Sequence, residues 1–153
     1  MKKILVPVDL SGATVRVCNA AADLAKALGG RLVILHVVPP PPMVMSEYYA
    51  FDGGQMVGLT REGRKLAAHK MAALGRWFSK RCPNTKVVMH EGVPTGVILR
   101  TAAVIRPDYI VIGSHGHTAA YDLIIGSTTH GVIRKAPCPV VLVPISLPAR
   151  KSR

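Results

Sequence analysis

Five short apolar runs recur along the chain, and a segment with helical periodicity separates each run from the next. The runs span residues 2–8, 31–37, 85–92, 108–113 and 139–145. The first two are apolar almost throughout, which is typical of strands that are covered on both faces of a sheet. Strands that alternate with helices predict an α/β fold with a parallel sheet and right-handed crossovers.

Four helices are predicted between these strands. They begin near Ser11, Thr60, Thr95 and Ser127, and Ser11 and Thr95 are predicted to cap their helices. The second helix has a predicted apolar face formed by Leu66, Ala67, Met71, Leu74, Trp77 and Phe78. Residues 38–58 contain four consecutive prolines, so we predict a long loop there.

The length of 153 residues suits one domain, which we predict to span residues 1–146 and to be followed by a basic tail at 147–153. No apolar run approaches the roughly 20 residues that are needed to cross a membrane. The N-terminal apolar run is short and is interrupted by Pro7 and Asp9, so it is interpreted as a strand and not as a signal peptide. These features predict a cytoplasmic protein that does not insert into membranes.

The formal net charge of +12 favours anionic partners. Much of the excess lies in residues 61–86, where eight basic residues accompany a single acid, Glu62. The charge alone does not choose between nucleotides, nucleic acid and acidic membranes. Only seven aromatic residues occur, and no basic stretch is interleaved with them, so we interpret the basic segment as a solvated helix face and not as a nucleic-acid site.

A glycine-rich loop follows the fourth predicted strand. Gly113, Gly116, Gly126 and Ser127 have the spacing G-x-x-G-x9-G-S. Glycines allow backbone to approach a ligand closely, and a helix that begins at Ser127 would offer N–H groups and a positive dipole end to phosphate. The same residues could equally form turns and a helix cap. The P-loop lysine motif and the dinucleotide fingerprint G-x-G-x-x-G are both missing from the sequence.

Taken together, the segments "KILVPVDLS", "VILHVV", "HEGVPTGVIL", "YIVIGSHGHT" and "IIGSTTHGVIRKAPCPVVLVP" resemble the universal stress protein family. The resemblance extends from Met1 to about Ile145 and implies an open five-stranded parallel sheet with helices on both faces. The implied fold is adenine-nucleotide α/β hydrolase-like, with strand order 3-2-1-4-5. The G-x-x-G-x9-G-S spacing marks the ATP-binding branch of that family.

The resemblance also implies a ligand site for ATP, with the participation of Mg²⁺ left open. Asp9 would lie at the adenosine, and Pro7 and Val8 would line the same pocket. Val37 would meet the adenine through its backbone. Ile112 and Gly113 would border the ribose. The phosphates would be held by His115, Gly116, Gly126, Ser127, Thr128 and Thr129.

The function implied is that of a cytoplasmic ATP-binding regulator or sensor in a stress response, acting through an unidentified protein partner. Two alternatives stay open, a slow ATPase and a partner-binding stress protein that does not use nucleotide. No paired carboxylates or Walker lysine support efficient catalysis, and no catalytic residue is assigned. The last strand, from Pro139 to Ile145, is an apolar edge, and the resemblance implies that it pairs with its copy in a homodimer. His36 is interpreted as a satisfied core histidine.

Overall fold

The computed structural model describes residues 1–40, 53–114 and 125–145. Over these residues it forms one parallel sheet in the order β3-β2-β1-β4-β5, which confirms the predicted topology. The strands are β1 Lys3–Val8, β2 Arg31–Val38, β3 Lys86–Glu91, β4 Tyr109–Gly113 and β5 Val140–Val143. Their ends differ from the predicted ends by one or two residues.

Helices cover both faces of this sheet. They are α1 Thr14–Ala27, α2 Gly53–Arg81, α3 Pro94–Ile105 and α4 Ser127–Lys135. Helices α1 and α2 bury Val17, Met71 and Phe78 against one face, whereas α3 and α4 bury Ile98 and Val132 against the other. Successive side chains of β1 alternate between the two cores, since Ile4 and Val6 join the first and Leu5 the second.

The α3 and α4 helices approach each other closely at Gly131. A Cβ atom at that position would lie 2.7 Å from Cγ2 of Thr95, which is closer than side chains tolerate. Thr95 is the second residue of α3, next to Pro94. The missing side chain of Gly131 therefore allows α4 to pack directly against the first turn of α3.

The predicted helix caps are wrong. The N-cap of α1 is Ala13 and that of α3 is Val93, and neither makes a side-chain capping bond. The Ser11 hydroxyl instead accepts a 3.3 Å bond from the N–H of Ala13, the residue directly before the helix. Helix α3 begins at Pro94, because proline has no N–H to satisfy and already holds a helical φ.

The prediction for residues 38–58 is wrong over its last part, because α2 already begins at Gly53. Residues 41–52 of that predicted loop lie outside the described residues, as does the predicted basic tail. The apolar face predicted for α2 is also partly wrong: Leu66 is 57% exposed and Trp77 is 59% exposed. Phe78 is fully buried, whereas Trp77 remains exposed beside it, with the two ring centroids 6.4 Å apart.

Asp108 joins the starts of β1 and β4. Its Oδ1 atom accepts a 2.8 Å bond from Nζ of Lys2, and its Oδ2 atom accepts a 2.8 Å bond from the backbone N–H of Lys3. The hydrogen bond from Lys2, followed by the one from Lys3, lowers the pKa of Asp108. Lys2 and Asp108 are 106 residues apart, so the carboxylate fixes a long-range contact at the amino end of the sheet.

Replacing Asp108 by Asn should lower the free energy of unfolding at pH 7 and lower it by less at pH 3. The pKa of Asp108 is lower in the folded protein than in the unfolded chain, so the carboxylate stabilises the fold at pH values above its unfolded-state pKa. This stabilisation is lost as the pH falls through the folded-state pKa. Urea unfolding of both proteins at both pH values measures the difference. Glu62→Gln is the matched control, because Glu62 forms only an exposed pair with Lys65. An Asp108→Asn effect of the same size at both pH values would contradict the assignment.

Candidate functional site

A cavity of about 450 Å³ lies at the carboxyl edge of the sheet, where β1, β2 and β4 end. Strand β1 has β2 on one side and β4 on the other. The helix that follows β2, α2, packs on one face of the sheet, and the helix that follows β4, α4, packs on the opposite face. Ligands in open α/β sheets bind at such a switch point. The lining consists of Pro7, Val8, Asp9, Ala13, Thr14, Val17, Leu35, His36, Val37, Pro39, Pro94, Ile98, Ile112, Gly113, Gly126, Ser127, Thr128, Thr129 and Ile145.

A tight turn between β1 and α1 forms one end of the cavity. Oδ1 of Asp9 accepts a 3.0 Å bond from the N–H of Ser11, and the carbonyl of Ser11 accepts a 3.1 Å bond from the N–H of Thr14. Leu10, between them, has a φ of 61°, which a residue with a side chain rarely adopts. The turn holds Asp9 and Thr14 in the same cavity wall.

The start of α4 forms another part of the wall and is bound directly to the end of β4. The hydroxyl of Thr129 donates a 2.9 Å bond to the carbonyl of Gly113, and the N–H of Gly126 donates a 2.9 Å bond to the carbonyl of Ser114. The first N–H groups of a helix have no intrahelical partner, so Ser127 and Thr128 present donors and a positive dipole end at the cavity.

Gly126 has a φ of −61° and a ψ of 152°, which any residue adopts without strain. The turn therefore does not need glycine for its backbone conformation. Gly126 does line the cavity, so a substitution there would change the cavity wall.

The structure brings together ten of the predicted site residues in this one cavity: Pro7, Val8, Asp9, Val37, Ile112, Gly113, Gly126, Ser127, Thr128 and Thr129. His115 and Gly116 lie outside the described residues. The assigned contacts with base, ribose and phosphate stay predictions. The sequence reasoning missed Thr14, Val17, Pro94, Ile98 and Ile145, which reach the cavity from the first turns of α1 and α3 and from beyond β5.

His36 is hydrogen-bonded, as predicted for it, but it is half-buried and lines the cavity. Its Nδ1 atom donates a 2.9 Å bond to the carbonyl of Val8, which ties the ends of β1 and β2 together. His90, at the end of β3, is exposed and is not part of the described lining. The neighbouring Glu91 pairs with Arg64 of α2 at 2.6 Å.

The charges of the cavity are unlike those of the whole chain. Among its described lining residues, Asp9 is the one carboxylate, and no lysine or arginine occurs. The described residues also contain no group of three His, Cys, Asp or Glu side chains that could hold a metal ion. Asp9 is the one carboxylate of the described lining that could contact a Mg²⁺ ion, so the described residues do not form a complete Mg²⁺ site by themselves.

No helix within the described part of the chain is both long and apolar enough to span a bilayer.

Comparison with known proteins gives a consistent result. A family model described as the universal stress protein family matches residues 1–144. A universal stress protein of Thermus aquaticus is 33% identical over 142 residues, which cover 93% of this chain and 98% of that protein. The solved structure of the universal stress protein UspA from Lactobacillus plantarum matches with a TM-score of 0.79 and 26% identity, covering 93% of this chain and 97% of that one.

A more distant solved structure, at 22% identity, shares the fold with a TM-score of 0.62. It is the universal stress protein from Archaeoglobus fulgidus in complex with dAMP, and the match covers 93% of this chain and 97% of that one.

Proposed function

Because the chain belongs to the universal stress protein family, we propose that it is a cytoplasmic ATP-binding regulator or sensor of a stress response. The observation that carries the proposal is the single cavity that joins Asp9, the ends of β2 and β4 and the start of α4. Its volume of about 450 Å³ lies within the roughly 300–1,000 Å³ that is usual for small-molecule sites. The Archaeoglobus protein of this fold, which is recorded with dAMP, supports an adenine nucleotide as the ligand.

The cavity has a different chemistry in its different parts. Val37, Ile98 and Ile112 provide apolar walls that suit a planar base. Gly126, Ser127 and Thr128 provide the start of α4, which suits the phosphates. Phosphate and the Asp9 carboxylate repel each other, so Asp9 belongs with the uncharged nucleoside. His115 and Gly116 would complete the phosphate contacts.

Replacing Gly126 by Val should weaken ATP binding at least tenfold without unfolding the protein. The new side chain occupies space in the cavity wall, whereas the backbone at Gly126 already suits a β-branched residue. Isothermal titration with ATP and Mg²⁺, together with thermal unfolding, measures both effects. Gly63→Val is the matched control, because a Cβ atom at Gly63, in α2, meets no other atom within 4 Å.

Two outcomes would contradict the proposal. Equal ATP affinity in Gly126→Val and the wild type would show that the start of α4 does not hold the phosphates. No titration heat with the wild type, combined with no nucleotide extracted from the purified protein, would favour a stress protein that does not use nucleotide.

A regulator that binds ATP should turn it over slowly, and Asp9→Ala should change nucleotide affinity more than the turnover rate. The described cavity offers one carboxylate and no cationic side chain to stabilise a phosphoryl transition state. Phosphate release at saturating ATP, measured for both proteins, tests this expectation. Rapid turnover that disappears in Asp9→Ala would identify an ATPase instead.

We further propose that the protein forms a homodimer through β5. In the described sheet this strand pairs with β4 on one side and is an edge on the other, and it contains four apolar residues, Val140–Val143, of which Val141 and Leu142 are exposed. The opposite edge strand, β3, carries Lys86 and Glu91, and charged side chains protect an edge from pairing. The contrast between the two edges supports association at β5.

Leu142→Lys should convert the dimer into a monomer, because it places a charge in an apolar edge strand. Sedimentation velocity should give twice the mass of the 16.3 kDa chain for the wild type and a single chain for the variant. Val104→Lys is the control, because Val104 is 81% exposed and lies on α3, away from β5. A Leu142→Lys protein that stays dimeric would rule out β5 as the interface.

A further inference from the structure

Thr14 occupies a position where the pattern of α1 calls for an apolar residue. The buried residues of this helix are Thr14, Val17, Cys18, Ala21, Ala22 and Ala25, which form one stripe at three- and four-residue steps. Thr14 is the first member of the stripe and its only hydroxyl residue. Valine has nearly the same shape and would fill the position without burying a polar atom.

The hydroxyl of Thr14 is buried without a hydrogen-bond partner among the described residues. The residue is only 5% exposed, and its Oγ1 atom makes no hydrogen bond within the described chain. Burying a hydroxyl without a partner destabilises a folded protein, so such atoms are rare and point to a missing partner. Because Thr14 lines the cavity, a bound molecule can supply that partner.

Thr129 provides an internal comparison. It is also 5% exposed and also lines the cavity, but its hydroxyl donates to the carbonyl of Gly113. The hydroxyl of Thr129 therefore stabilises the fold through a hydrogen bond, whereas the hydroxyl of Thr14 makes no hydrogen bond within the described structure. The difference separates a structural hydroxyl from one that is free to recognise a ligand.

The position of Thr14 indicates which part of a ligand it would meet. Thr14 belongs to the same turn as Asp9, since Ser11 bonds to both residues. The starts of α1, α3 and α4 all lie in the cavity wall and carry a positive dipole end, but the start of α1 lies beside the Asp9 carboxylate, which makes it unsuitable for an anion. A negatively charged group would avoid Asp9, so an uncharged hydroxyl or amine of the ligand belongs beside Thr14.

We propose that the Thr14 hydroxyl hydrogen-bonds to the nucleoside part of the ligand, directly or through one water molecule, and so determines specificity for that part. The inference rests on the proposed nucleotide site and adds to it a contact from α1. A hydroxyl can donate and accept, so Thr14 can read either a ribose hydroxyl or a polar edge of the base.

The test compares Thr14→Val, Thr14→Ser and the wild type by isothermal titration with adenosine, AMP and ATP. Thr14→Val should weaken the binding of all three ligands by about tenfold, which is the usual value of one buried hydrogen bond. Thr14→Ser keeps the hydroxyl and should keep most of the affinity. Adenosine has no phosphate, so a loss with adenosine assigns the contact to the nucleoside.

Thermal unfolding without ligand provides the second readout. Thr14→Val should be as stable as the wild type or more stable, because it removes a buried polar atom that has no partner. Thr129→Val should be less stable, because it breaks the bond to Gly113. A similar loss of stability in Thr14→Val would show that the hydroxyl has a partner in the free protein and would overturn the inference.

The remaining outcomes separate this inference from the proposed function. Wild-type binding that Thr14→Val leaves unchanged overturns the role of Thr14 alone. A loss that occurs with ATP but not with adenosine overturns the assignment to the nucleoside. A wild type that binds none of the three ligands overturns the proposed function, and the inference fails with it.

Discussion

The central position of β1 is the constraint on which the rest of the structure depends. This strand is hydrogen-bonded on both sides, to β2 and to β4, so its side chains are covered on both faces and its carboxyl end lies between two other strand ends. Asp108 fixes the strand at its start, and the bond between His36 and the carbonyl of Val8 fixes it at its end. Asp9 therefore enters the cavity from a rigid position, which recognition of a small ligand requires.

The fold, and the site residues that lie at the ends of strands, could be predicted because both follow from the order of apolar and helical segments in the sequence. Apolar runs that alternate with helices specify the sheet, and the carboxyl ends of parallel strands must lie at one edge, so Pro7, Val37 and Gly113 meet. The contributions of the helices could not be predicted in this way. Thr14 and Ile98 reach the cavity through the packing of α1 and α3 on opposite faces, and no motif records that packing.

The errors of the sequence prediction have separate physical causes. Ser11 and Thr95 are good capping residues, but the turn after Asp9 and the proline at the start of α3 determine where those helices begin. Leu66 and Trp77 belong to the predicted apolar face of α2, but both are more than half exposed, so the buried part of α2 is narrower than the predicted face. Propensity identified the type of each element correctly, and tertiary contacts then set its limits.

The contact at Gly131 links the outside of the protein to the ligand site. Any side chain at this position must displace Thr95, and Thr95 is covalently joined to Pro94 in the cavity wall. A substitution on α4, two residues beyond Thr129 in the cavity wall, would therefore reach the site through Thr95 of α3. Gly131 is therefore a position where a substitution would be felt in the cavity wall, even though Gly131 itself is not part of the described lining.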